Sequence, residues 1–292
     1  MEHAPDPFEA LRPRLHGIAY RMLGIRADAE DVLQDAWLRW SAVDKTGLQS
    51  AEAWLVTVVT RLAIDRLRAA KAEREAYTGW WLPEPIVEVD ERTPETLVEM
   101  ASSLSVAFLH LLERLGPEER AAFLLKQVFD YDYDEIAAML DKTEPAVRQM
   151  VHRAGERVRR ERPRFEVSRE AHRRQLEQFV RAAHSGSRDA IRALLSEEIA
   201  SIGDGGGKAA AVATPLQGRD RVTNLFWAHF LRLGERLRYR VASINGEPGL
   251  LRYVDGVLES AMAVETDGER LVTIYAIRNP DKLARIDAQI SA

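Results

Sequence analysis

Apolar residues recur along most of this chain every three or four positions, the spacing of helices with one buried face. Beyond residue 237 the spacing shortens to alternation, the pattern of half-buried strands. The helical part begins at Pro7–Leu23, where Phe8, Leu11, Leu15, Ile18, Ala19 and Met22 share one side and Gly24 ends the run. A second helix is expected over 28–40, with Val32, Leu33, Ala36, Trp37 and Trp40 inward. Its other side carries Asp28, Asp31, Gln34 and Asp35. Acidic residues also suit a helix's first turns, so that side alone does not establish a binding face. After the small polar loop 42–50, Ser50 can cap a third helix over 51–72. Trp54, Leu55, Val58, Val59, Leu62 and Leu67 supply its apolar surface. Arg61, Arg66, Arg68, Lys71 and Arg74 make its later half basic, either a phosphate track or a solvated face.

Residues 77–99 break the pattern. Pro83, Pro85 and Pro94 oppose a continuous helix, and Glu84, Glu88, Asp90, Glu91, Glu95 and Glu99 make the stretch acidic. A free linker gains nothing from exposed indoles, so Trp80, Trp81 and Leu82 predict docking on the protein's own surface. Helices follow over 97–115 and 117–129. Then come two short helices with a tight turn. Asp132 and Glu135 form a capping-box pattern ahead of Ile136, Met139 and Leu140. Thr143 and Pro145 start the next helix, which turns Val147, Met150, Val151, Ala154 and Val158 inward. Arg148, Gln149, His152 and Arg153 face outward near its beginning, where a helix-turn-helix protein reads base edges. Arg157, Arg159, Arg160, Arg162 and Arg164 continue as phosphate-neutralising positions.

The last part reads as an α+β domain: helices over 169–184, 188–195 and 221–233, and strands over 199–202, 237–244, 250–254, 257–265 and 271–278. The segments GEPG, DG and DGER are read as turns between the later strands. The loop Asp204, Gly205, Gly206, Gly207 and Lys208 offers an anion cradle or an interaction loop. It is no P-loop, because its first glycine is misplaced and Ala209 follows the lysine.

Composition narrows the function class. The chain has 292 residues, 46% of them apolar, and a net charge of −5, so nucleic-acid contact must come from local patches. It has no cysteine, which excludes disulfides and thiolate metal sites and suits the cytoplasm. No apolar run is long enough to span a bilayer, and MEHAPDPFEA lacks the basic and apolar regions of a signal peptide. No cofactor motif, metal-ligand spacing or convincing acid–base pair stands out.

The segments DAEDVLQDAWLRW, AWLVTVVTRLAIDRLRAAKAERE and PEERAAFLLKQVFDYDYDEIAAMLDKTEPAVRQMVHRAGERVRR, in that order, resemble an extracytoplasmic-function sigma factor of bacterial RNA polymerase. The resemblance covers about 8–165 and implies partners, the polymerase core enzyme and promoter DNA. It assigns Asp28, Asp31, Gln34 and Asp35 to the core enzyme, and Val58, Arg61, Arg66 and Arg68 to the minus-10 element. The loop 42–50 would form a pocket for a flipped-out base. Thr143, Arg148, Gln149, His152, Arg153 and Arg157 would contact the minus-35 element. Arg61, Met150 and Gly155 depart from residues common in the family, so the resemblance implies a binding mode and not a promoter sequence.

The C-terminal pattern resembles the SnoaL-like fold, a curved sheet around helices with a central pocket. Three motifs resemble those of the sigma factors that carry such an extension. They are WLPEP (Trp81, Leu82, Pro83, Glu84, Pro85), DGGGK (Asp204 to Lys208) and NPDKL (Asn279, Pro280, Asp281, Lys282, Leu283). The expected fold is therefore multidomain. Two all-α sigma domains, over 1–75 and, with the helix-turn-helix, 100–165, flank a 76–99 linker; a cone-shaped α+β barrel follows over 166–292. The extension is expected to modulate the sigma domains in cis, with its pocket open to a small-molecule ligand. Two other readings remain at this point. One is a pocket enzyme tethered to DNA, drawing on Asp204, His184, His229, Asp255 or Tyr275; the other is a helix-turn-helix repressor.

Overall fold

The computed structural model describes residues 6–88, 104–161, 167–212 and 214–290. They fall into two compact units, Met1–Glu75 with Leu111–Arg162, and Ala76–His110 with Pro163–Ala292. The phosphate positions Arg162 and Arg164, Pro94, four linker acids (Asp90, Glu91, Glu95 and Glu99) and the start of the helix expected at 97 lie outside the described residues.

The first unit is helical: α1 (Pro7–Leu23), α2 (Arg26–Ala42), α3 (Ala51–Glu75), the end of α4 (Val106–Leu112), α5 (Pro117–Gln127), α6 (Tyr133–Leu140) and α7 (Glu144–Glu161). The carboxylate of Asp6 caps α1 by accepting from the Phe8 amide at 2.8 Å, and from the Trp40 indole of α2 at 2.9 Å. Gly24 ends α1 in the left-handed region at φ 69°, and its amide donates to the Tyr20 carbonyl. Leu15, Ile18, Leu55, Val59 and Ala63 are fully or almost fully buried between α1 and α3. Each large aliphatic side chain so placed contributes about 1.5–3 kcal/mol. Trp37 was expected to pack, but it is 38% exposed and touches Phe8 edge-on at 5.1 Å.

In the second unit α8 (Arg169–Ser185), α9 (Arg188–Ala193) and α10 (Arg219–Leu233) pack on one face of a seven-stranded sheet. The strands are β1 (Val87–Glu88), β2 (Leu195–Asp204), β3 (Leu216–Gln217), β4 (Leu237–Ile244), β5 (Glu247–Val254), β6 (Val257–Thr266) and β7 (Leu271–Ile277), ordered β1-β4-β5-β6-β7-β2-β3. All pairs are antiparallel except β2 with β7. Alternation sorts the strand residues: Leu250, Met262 and Ile274 face the helices, while Leu251, Ala261, Ala263 and Tyr275 face the other way. That second face is covered too, by Leu82 and Val87 from the linker, Val106 from α4, and Leu283 and Ile286 from the terminal helix α11 (Pro280–Ile290).

Several sequence expectations change. GEPG is not a turn: Asn245 and Gly246, at φ 52° and 80°, close the β4–β5 hairpin, and Glu247, Pro248 and Gly249 already pair with β4. The strand expected over 199–202 extends from Leu195 through Asp204, because Asp204 pairs with Ile277 instead of entering the glycine loop. Within the proline-rich linker, Val87 and Glu88 add a strand to the β4 edge. NPDKL opens a helix, with the Asn279 side chain accepting from the Asp281 amide at 3.1 Å and Pro280 in its first turn.

Candidate nucleic-acid interface

The helix-turn-helix is built locally. The Asp132 amide donates to Glu135 at 2.8 Å at the start of α6. Asp141 turns left-handed at φ 54°, and the next amide, Lys142, returns to the Ala137 carbonyl at 2.9 Å. Ile136, Met139, Val147, Val151, Ala154 and Val158 are buried, which fixes the rotation of α7. Thr143, Arg148, Gln149, His152, Arg153 and Arg157 are all exposed. From Arg148 to Arg157 their spacing places them on one helical face. Arg148 lies over the Tyr133 ring at 4.2 Å and is bonded to Glu144 at 3.0 Å, and Arg157 pairs with Glu119 at 2.9 Å. Met150, placed inward from the sequence, is only half-buried.

On α2, Asp31, Gln34 and Asp35 are exposed on one face, with Asp28 half-buried at its start. Sequence reasoning missed Leu38, which continues this face one turn on and is 57% exposed. An exposed leucine after a run of acids was the available signal. Asp28 accepts from Arg66 of α3 at 2.8 Å, so one residue assigned to polymerase and one assigned to DNA hold each other. The loop after α2 contains a short 3-10 turn, Lys45–Gly47, in which Asp44 accepts from the Thr46 amide at 3.0 Å. Lys45 sits 4.5 Å from the centre of the Trp40 ring.

The basic side of α3 is engaged inside the unit. Arg61 donates through Nε to the Met139 carbonyl at 2.9 Å and through Nη2 to Ala138 at 3.5 Å. These carbonyls belong to the last turn of α6, the negative end of that helix. Arg68 donates to Glu118 at 2.7 Å, while Val58 is half-buried. Arg74, read from sequence as part of a phosphate track, is instead largely buried. It donates to the Leu23 carbonyl at 2.8 Å and shares the Glu113 carboxylate with Arg120. Arg120 is 2% exposed and donates to Met22 at 2.6 Å and Glu113 at 2.7 Å. At the other end Arg14 donates to the Tyr131 hydroxyl at 3.0 Å and the Phe129 carbonyl at 3.1 Å, and Tyr131 donates to Glu52 at 2.9 Å. Burial pushes the Tyr131 hydroxyl up to about 12, keeping it protonated as that donor. These polar clusters fasten α1 and α3 to the α4–α7 segment.

The three short motifs meet in the second unit. Asp204 is fully buried, and its carboxylate accepts from the Tyr77 hydroxyl at 2.6 Å, the Leu82 amide at 2.9 Å and Lys282 Nζ at 2.7 Å. Lys282 also donates to the Leu82 carbonyl and lies 4.3 Å from the Trp81 ring centre. Burial and the adjoining Asp204 carboxylate raise the Tyr77 pKa, so this phenol stays protonated. Leu82, Pro83, Glu84 and Pro85 are buried, with Glu84 3.9 Å from Arg285. A Cβ on Gly206 would lie 2.3 Å from the Asn279 amide nitrogen, and one on Gly205 would lie 2.1 Å from the Ala209 carbonyl oxygen. The glycines therefore permit close approach, and Lys208 pairs with Asp281 at 2.5 Å instead of standing ready for an anion. Asn245, which the sequence did not single out, ties the linker down by exchanging bonds with Ile86 at 2.7 and 2.9 Å and donating to Leu104 at 3.0 Å.

The residues considered for catalysis do not converge. Asp204 holds the motifs, Asp255 pairs with Arg236 at the surface, His184 accepts from the Tyr239 amide at 3.3 Å, and Tyr275 bonds Glu265 at 3.2 Å. Burial and Arg252 lower the His229 pKa to about 4, leaving its ring neutral. Among the described residues no group of three or more His, Asp or Glu could hold a metal, and no helix is long and apolar enough to cross a membrane.

Residues 7–73 match the family described as Sigma-70 region 2, and residues 105–157 match Sigma-70, region 4. This is the pairing of a transcription-initiation protein of the sigma-70 class. The ECF RNA polymerase sigma factor SigJ of Mycobacterium tuberculosis is 37% identical over 286 residues, covering 94% of this chain and 91% of that protein. The probable ECF RNA polymerase sigma factor SigI of the same species is 27% identical over 287 residues, with 97% and 96% covered. The crystal structure of SigJ superimposes with a TM-score of 0.77 at 35% identity, covering 95% of this chain and 97% of that one. The chain belongs to the ECF RNA polymerase sigma factor family, in the form with a SnoaL-like C-terminal extension.

Proposed function

We propose that this sigma factor rests in a closed form in which its promoter-reading parts restrain each other, and that it opens on the core enzyme. The observation that carries this is the Arg61 side chain capping α6 at 2.9 Å. Minus-10 and minus-35 elements lie some 25 base pairs apart by name, about 85 Å at about 3.4 Å per base pair. A helix serving the first cannot remain bonded to the helix-turn-helix serving the second. Opening releases Arg61 and Arg68 for DNA, and the exposed face of Asp31, Gln34, Asp35 and Leu38 is the landing surface for polymerase. Arg148, Gln149, His152 and Arg153 read the minus-35 element. Arg157 contributes phosphate neutralisation.

The C-terminal domain acts as a regulator in cis. The joining of Trp81–Pro85, Asp204–Lys208 and Asn279–Leu283 supports this, because the linker between the two sigma regions cannot move without loosening the Asp204 junction. The dispersal of its titratable residues favours a regulatory domain over an enzyme. Purified full-length protein with core polymerase and a cognate promoter should give promoter-dependent transcripts, and Asp204→Asn should change their yield. Small-molecule turnover without polymerase, with unchanged transcription in the variant, would contradict the reading.

A further inference from the structure

Between α10 and the helix-covered face of the sheet lies a cavity of about 740 Å³, within the range of small-molecule sites. Its walls are apolar through Leu225, Phe226, Leu233, Val254, Met262 and Ile274. Its polar wall has an unusual charge balance. Arg252, 4% exposed, pairs with Glu259 at 2.7 Å, and Arg278 pairs with the other oxygen of the same carboxylate. Arg252 also faces His229 Nδ1 at 3.3 Å, and that ring is neutral. Two guanidinium groups thus share one carboxylate, and Arg236 is already paired with Asp255. The Nε atoms of Arg252 and Arg278 are both buried without a hydrogen-bond partner among the described residues. A buried cation in excess, with unused donors, calls for an anion. The excess at the pair is a single charge, which one carboxylate neutralises, and Arg232 in the same lining adds to the positive field.

We propose that this cavity binds an amphipathic monocarboxylate, its head group on Arg252 and Arg278 and its apolar body along Phe226, Leu233, Met262 and Ile274. The planar fork of each arginine suits a carboxylate, and Glu259, which engages one terminal nitrogen of each, leaves both Nε donors unused and competes with the incoming carboxylate through charge repulsion. Arg278 also donates to the Ala210 carbonyl, and its own amide donates to the Asp204 carbonyl at 2.7 Å. Occupancy would therefore pull on the loop and strand end that hold the three-motif junction, a consequence that rests on the regulatory reading above.

The test is calorimetric titration of the full chain with decanoate, decan-1-ol and inorganic phosphate. Decanoate should bind saturably and at least about tenfold more tightly than either of the others. Arg278→Gln should weaken decanoate about tenfold, while Glu259→Gln should tighten it, a gain that a merely damaged fold would not give. Equal binding of the alcohol, equal binding of phosphate, no saturable binding of decanoate, or weakening in both variants would each overturn the proposal. Transcription with and without decanoate then tests the regulatory consequence separately: saturable binding without a change in output leaves the site standing and removes its regulatory role.

Discussion

Replacing Glu113 by alanine removes the carboxylate shared by Arg74 and Arg120. The Arg120 side chain is 3% exposed and that of Arg74 20%, so the closed form would keep two shielded cations that have lost the carboxylate they share. Breaking a buried pair by removing one partner costs about 3–5 kcal/mol. The partial exposure of Arg74 argues for the lower end. Opening rehydrates both arginines, so the penalty falls on the closed form alone, and about 3 kcal/mol shifts the equilibrium toward the open form by roughly a hundredfold. Small-angle scattering of the free protein should show a larger radius of gyration with unchanged helical circular dichroism, and transcription at limiting core enzyme should rise. Arg68→Ala is the contrast: its pair with Glu118 is solvent-exposed and should contribute less than about 1 kcal/mol. If Glu113→Ala and Arg68→Ala behave alike, the buried cluster does not hold the closed form.

Further outcomes follow from the other sites. Asp204→Asn leaves Lys282, whose side chain is 6% exposed, without its carboxylate; urea unfolding should register a loss of about 3 kcal/mol, and Trp81 emission should shift red as the linker loosens. His172 is held near pKa 4, below its ordinary 6.5, because burial disfavours its charged form. The unfolded chain therefore binds the extra proton first, and stability is full above about pH 6.5 and falls toward pH 4 by up to about 3 kcal/mol. Thermal melts of wild type and His172→Phe between these limits should show a shallower fall in the variant. Asp31→Lys with Asp35→Lys should abolish core binding by pull-down, whereas Arg148→Ala with Arg153→Ala should leave core binding intact and lose promoter-specific transcripts. The reverse assignment of the two defects would contradict the roles given to α2 and α7.

Much of this architecture was legible from one sequence because its signals are local. The bounds of α1 follow from Pro7 and Gly24, and the helix-turn-helix follows from Asp132, Glu135 and the apolar stripe of α7. The outward face from Arg148 to Arg153 follows from the same periodicity. What escaped depends on partners distant in sequence. Arg74 and Arg61 lie in one basic run, yet Arg74 enters a buried pair and Arg61 caps a helix, a difference set by Glu113 and Met139. The short strand at Val87 exists because the β4 edge offers its backbone groups, and nothing in a proline-rich acidic stretch announces that. The GEPG error has a similar source: asparagine and glycine satisfy the tight turn one step earlier, and proline is tolerated in the strand after it. Glu259 takes its role from Arg252 on β5 and Arg278 just past β7, partners that its own stretch of sequence does not reveal.

A closed free form that must open to initiate transcription can be seen directly. Because the chain lacks cysteine, one dye can be placed at exposed Ala69 on α3 and another at exposed Glu156 on α7 through Ala69→Cys and Glu156→Cys. Energy transfer between them, measured in the free protein and again after adding core polymerase, reports the separation directly. Transfer should be efficient in the free protein and collapse on the core enzyme; transfer that is already low in the free protein, or that persists unchanged on polymerase, would rule out a closed form that opens.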